Sequence, residues 1–334
     1  MRSFFEGWRR VRSAPALLLG VYAVTVVVAL PLAISMRGLL QTHLGQSLAA
    51  ESAAEGVNYD WWQEFSSQAT GIGTTFTPTI IGFAATLDTI SGVLDGQREV
   101  APIAGTLALY LAAWTFLSGG VIDRYARQRP LGAASFFAAS GVHFFRLLRL
   151  ALVAGAVYWW LFAYVHRWLF REWFVEQTRT MSEEREVFLW RVALYLAFGL
   201  MLVVVNVIVD YAKIRVVVED RRSALSALSA GMRFVWRRAG RVAGLYALNG
   251  AVFLILIAVW AFIDPRARGG DLALLVTFLA AQCYLLARLA LKLQFLASQT
   301  ALFQSSLAHA GYVAAPAAVW PESPSAELVR TSAR

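Results

Sequence analysis

The chain has 334 residues, of which 58% are hydrophobic and 15% charged, with a mean hydropathy of +0.57. Soluble domains carry about 25% charged residues, so lipid is the main solvent, and 12 Trp and 21 Phe exclude a solvated coil. The net charge of +9 is no nucleic-acid footprint, because the 28 Arg and 2 Lys recur beside long apolar runs and not along a polar face.

At the N-terminus, Arg2, Arg9, Arg10 and Arg12 precede a first apolar run, 14–36. That run is longer than the roughly 7–15 residues of a signal-peptide core, so it reads as a retained anchor. Five more stretches reach the roughly 20 apolar residues that a spanning helix needs. They are 100–122, 147–170, 187–210, 242–263 and 272–294. Between the first two lies an outer loop, 37–99, whose segment 80–94 is short, apolar and interrupted by Asp88. It is expected to form an interfacial or re-entrant helix. Trp61 and Trp62 in the same loop read as an interfacial anchor. The Gly/Thr-rich stretch from Gly71 to Pro78 lacks the Lys of a phosphate loop and reads as a turn.

Basic residues near span ends set orientation. The arm, the segment 123–149 and the segment 211–241 are rich in arginine. They alternate with 37–99 and with 171–186, which sets three Arg against five Glu. Both termini are therefore expected in the cytoplasm of a bacterial inner membrane. The single Cys283 excludes an intrachain disulfide. Residues 1–304 form one transmembrane domain. The Pro/Ala/Ser-rich segment 305–334 is expected to be a largely disordered cytoplasmic tail.

Two junctions look alike. Val121-Ile-Asp-Arg-Tyr-Ala-Arg-Gln-Arg129 and Val207-Ile-Val-Asp-Tyr-Ala-Lys-Ile-Arg215 share five of nine residues. Each leads into a short amphipathic segment, Ser140-Gly-Val-His-Phe-Phe145 and Ala230-Gly-Met-Arg-Phe-Val235, and then into a span. Ser3-Phe-Phe-Glu-Gly-Trp-Arg-Arg10 leads into the first span in the same way. The expected fold is an all-α, polytopic membrane bundle of six transmembrane helices. Interfacial amphipathic elbow helices divide it into a threefold internal repeat.

The Tyr-Ala-Arg/Lys junctions, above all residues 208–215, together with short interfacial helices and six spans, resemble the membrane-domain families of glycerophosphoryl diester phosphodiesterases. The resemblance implies a membrane bundle. It carries over no phosphodiester chemistry and no functional residue, because these 334 residues hold no stretch that reads as a soluble catalytic domain.

Enzyme signatures are absent. His43, His143, His166 and His309 are scattered, with no metal spacing and no nucleophile elbow. No cofactor is implied. Intramembrane polar residues are the usual pointers to function, and Asn206, Asp210, Asn249, Gln282 and Arg288 form the candidate polar cluster. Arg146, Arg149, Arg233, Arg237 and Arg238 are the candidate contacts to lipid headgroups. The expected function is non-enzymatic: membrane organisation, assembly, or an accessory role in contact with anionic lipids. A membrane-protein partner or a second copy is possible. The alternative is a transporter or channel subunit for a small or lipidic substrate.

Overall fold

The computed structural model describes residues 1–45, 47–55, 58–76, 92, 103–130, 132–263 and 271–307. The described residues form helices and no strand. In chain order these are α1 (Arg2–Arg12), α2 (Pro15–Leu44), α3 (Ala50–Glu55), α4 (Tyr59–Gln68), a 3-10 turn (Gly71–Thr75) and α5 (Ala104–Arg127). There follow α6 (Ala133–Thr178), α7 (Glu184–Val218), α8 (Ala224–Arg237), α9 (Ala239–Ile263) and α10 (Asp271–Ser306). Six of them, α2, α5, α6, α7, α9 and α10, are long and apolar enough to cross a membrane. The expected 80–94 helix lies outside the described residues, as does the tail beyond Leu307.

Sequence chemistry sets the boundaries. Pro15 disfavours helical backbone at the residue before it, and Ala14 sits at φ −140°, ψ 60°, which ends α1 and starts α2. Gln128 and Asp220 adopt left-handed backbone (φ 53° and 51°) just beyond α5 and α7, and so turn the chain back. Ser223 caps α8 by accepting the Ser226 N–H at 3.3 Å.

The main core lies at the arginine-rich end. It gathers Phe4 and Val11 of α1, Val121, Ile122 and Tyr125 of α5, Tyr211 and Ile214 of α7, Phe234 of α8, and Leu293 and Phe303 of α10. A smaller cluster, Leu161, Leu169, Leu194 and Phe198, joins the far ends of α6 and α7. There α6 widens into π-helical turns at Leu161–His166 and Trp168–Trp173. Elsewhere the spans show bare apolar surface. Val27, Leu30 and Ile34 on α2, Leu196 and Leu200 on α7, and Leu254 and Phe262 on α9 are all exposed. Such a surface is stable only in lipid, so the chain is a multi-pass membrane protein.

Two short helices clasp the core. α1 lies on the last third of α10, where a Cβ on Gly7 would stand 2.8 Å from the Ser298 Cβ and 2.9 Å from its Cα. α8 crosses α7, where a Cβ on Gly231 would stand 3.0 Å from the Ala212 nitrogen and from the Ile208 oxygen. The α10 contacts of Gly7, Gln294 and Ser298, stand 86 residues beyond Ile208 and Ala212. The same spacing separates Val121 from Val207.

The middle segment differs from the elbow expected of it. Nothing breaks the helix between Ala133 and Leu147, so α6 runs unbroken from the junction into its span. It packs there by Ser140, His143 and Phe136 against Gly119 and Gly120 of α5, while Gly141 faces open space. Two aromatic residues of the segment between α2 and α5, Trp61 and Phe65, pack inward, while Tyr59 is exposed. Trp61 is buried, stacked on Phe65 at 5.4 Å and edge-on to Phe76 at 6.2 Å, and does not stand out as an anchor.

Candidate functional site

The predicted polar cluster divides. Asp210, near the arginine-rich end of α7, gathers four donors. The Tyr246 hydroxyl donates to it at 2.7 Å, Lys213 Nζ at 3.0 Å, and Gln299 Nε2 and Asn206 Nδ2 each at 3.3 Å. Gln299 Nε2 also donates to the Tyr246 oxygen at 2.6 Å. Asn249 is fully buried one turn along α9, and its Nδ2 donates to Ser298 Oγ at 3.1 Å and to the Leu245 carbonyl at 3.0 Å. These side chains tie α7, α9 and α10 together.

Gln282 and Arg288 lie elsewhere. Gln282 accepts the Tyr22 hydroxyl at 2.8 Å, a link between α10 and α2. The Arg288 guanidinium lies 5.6 Å from the Tyr284 ring centre. One turn further on, Lys292 donates to the Tyr110 oxygen at 3.0 Å and stands 3.6 Å from the centre of the Trp114 ring. The aromatic faces of α5 therefore hold this cation within the bundle.

The candidate headgroup arginines divide as well. Arg233 and Arg237 project from α8, are exposed, and form no ion pair among the described residues. Arg149 is exposed, with its Nε on the Phe145 carbonyl at 3.2 Å. Arg146 instead pairs with Asp220, joining α6 to the turn between α7 and α8. Arg238 donates to the Ser306 carbonyl at 2.9 Å and lies 4.9 Å from the centre of the Phe234 ring. It fastens α8 to the end of α10.

α8 has three faces. Ala227, Ala230, Gly231 and Phe234 are buried on the protein. Leu225, Met232 and Trp236 form an exposed apolar face, with Trp236 81% exposed. Ser226, Arg233 and Arg237 form a polar face between these two at about 100° per residue. Its first turns face α6, and its last turn faces Phe303 and Ser306 of α10, so it lies across the spans.

Sequence reasoning missed Arg10. It is buried, and its guanidinium donates to the Tyr125 carbonyl and to Gln304 Oε1, both at 2.9 Å, and to Glu6 at 3.2 Å. Burial pushes it below the usual arginine value, and the Glu6 carboxylate pushes the other way. Glu6 four residues earlier was the available signal, since that spacing makes a helical ion pair. Tyr246 and Gln299 were also missed, because a tyrosine and a glutamine in apolar runs stand out only once their helices face Asp210.

Among the described residues no three His, Cys, Asp or Glu side chains converge on one point. The crevice between α6, α7 and α8 is lined by apolar side chains and Ser229. Comparison with protein-family models, with curated proteins and with solved structures gives no match.

Proposed function

We propose that this chain is a non-enzymatic membrane-organising or accessory protein whose arginine-rich end sits among anionic headgroups of the cytoplasmic leaflet. The observation that carries the reading is the three-faced α8. A helix packed on protein by small residues, with Trp236 and Met232 on one open side and Arg233 and Arg237 on the next, suits the boundary between acyl chains and headgroups. Each basic side chain near an anionic surface contributes about 1 kcal/mol.

The repeat belongs to the same proposal. α8 follows α7 and clasps it, while α1 clasps the last of the six spans, α10. Three units closed in this way form a ring held by Gly7 and Gly231, with the middle elbow fused to its span. The resemblance carried by residues 208–215 adds no chemistry to this reading.

The alternative, a transporter or channel subunit, requires a polar path joining Asn206, Asn249 and Gln282. Among the described residues these side chains lie in separate contacts: on Asp210, on Ser298 and under Tyr22.

The test is lipid composition around the protein in nanodiscs made from equal phosphatidylglycerol and phosphatidylcholine. Phosphatidylglycerol is expected to be enriched around the wild type, with the enrichment falling in high salt and in Arg233→Ala/Arg237→Ala. Equal shells in both proteins would overturn the reading.

A further inference from the structure

We propose that the crevice beneath α8 holds one acyl chain of an anionic glycerophospholipid, with Arg233 at its rim engaging the phosphate. This rests on the headgroup-level reading of α8 given above and adds a specific, retained lipid to it.

The crevice has a volume of about 270 Å³. Ala154 and Val157 of α6 form one wall, Val205 and Ile208 of α7 another, and Leu228 and Met232 of α8 the roof. Among the described residues Ser229 is the one polar side chain in the lining. Leu225 and Met232, on its roof, are 67% and 50% exposed, so the crevice opens on the apolar surface that faces lipid. Beyond Leu225, the Arg146–Asp220 pair joins α6 to the turn that precedes α8.

Its occupant must be thin and apolar. The cleft runs between three helices and is lined by aliphatic carbon apart from Ser229, so it takes hydrocarbon lying along it. An acyl chain is narrow enough and matches the lining. The charge at the rim selects the head. Arg233 directly follows Met232 and stands one turn beyond Ser229, and Arg237 follows it on the same side. Neither has an acidic partner among the described residues. A phosphate beside Ser229 and Arg233 would meet a hydroxyl and a guanidinium, the donors that suit it.

The experiment is native mass spectrometry of the full chain, washed in detergent and then offered phosphatidylglycerol or phosphatidylcholine. Wild type is expected to retain one phosphatidylglycerol. Ser229→Phe and Met232→Trp fill the crevice from exposed positions and should each abolish retention. Arg233→Ala should keep the site but cut the preference for phosphatidylglycerol about fivefold.

If both filling variants retain the lipid while Arg233→Ala/Arg237→Ala still lowers enrichment in nanodiscs, the crevice proposal falls and the headgroup reading stands. If neither kind of change matters, both fall. A second measurement needs no variant. Phosphatidylglycerol with a photoreactive group on its acyl chain should crosslink the unmodified protein at 154–157 and 205–209. Crosslinks spread evenly over the other spans would overturn the proposal.

Discussion

Arg10 Nη1 donates a hydrogen bond to the backbone carbonyl of Tyr125 at 2.9 Å, across 115 residues of chain. With Gln304 accepting from the same nitrogen at 2.9 Å and donating to the Ala126 carbonyl at 3.0 Å, it locks the first helix to the ends of α5 and α10. The carbonyls at the end of a helix have no partner within it, and this contact supplies one.

Arg10→Met should therefore cost about 3 kcal/mol, because it strands buried acceptors as well as removing a charge–dipole contact. Arg10→Lys should recover little, since an ammonium cannot reproduce the fork that reaches Tyr125, Gln304 and Glu6. Denaturant unfolding in detergent micelles, followed by circular dichroism, reads both.

The glycine contacts give a contrast within one experiment. Gly7→Ala and Gly231→Ala place a methyl against backbone atoms of Ser298 and of Ala212 and Ile208. Each should cost about 1–3 kcal/mol. Gly141→Ala meets nothing within 4 Å and should be neutral or gain up to about 1 kcal/mol of helix propensity. Melting temperatures in one detergent would separate the three.

Asp210 is expected to act as a fastener. Asp210→Asn leaves Lys213 without its carboxylate and weakens the bonds from Tyr246 and Gln299, at a cost of about 2 kcal/mol. Adding Lys213→Met should restore part of that loss, since the stranded charge goes with it. Tyr246→Phe should cost about 1–2 kcal/mol on its own, because its hydroxyl bridges Gln299 and Asp210. Stability of the double variant below that of Asp210→Asn would contradict this account.

The spans were legible because lipid demands long apolar runs, and each of the six runs corresponds to one helix. Their ends were not. Composition marks the stretch that suits lipid, whereas a helix continues until something breaks it. α7 runs on through Lys213-Ile-Arg to Val218 and α10 through Ser298 to Ser306, because no Pro or Gly interrupts them and the core buries them. Two of the three expected elbow segments are separate short helices, α1 and α8, and each ends where the backbone leaves the helix, at Ala14 before Pro15 and at Arg238 (φ −131°, ψ 28°). In α6 a lone Gly141 cannot end a helix, so the middle elbow merges with its span. The polar site was half legible. Asp210 and Asn206 share one helical face one turn apart, which sequence shows. That Tyr246 and Gln299 meet them, and that Gln282 and Arg288 do not, depends on how α9 and α10 pack.

The central claim is that the arginine-rich end, where the core is packed, faces the cytoplasm. Cys283, the chain's one cysteine, is exposed on α10 and is first replaced by Ser. Glu184→Cys at the start of α7 and Arg237→Cys on α8, both at exposed positions, are then probed with a membrane-impermeant thiol reagent on intact cells. Labelling of Glu184→Cys from outside, with Arg237→Cys labelled only after the membrane is opened, is the predicted result. Labelling of Arg237→Cys in intact cells would contradict the account.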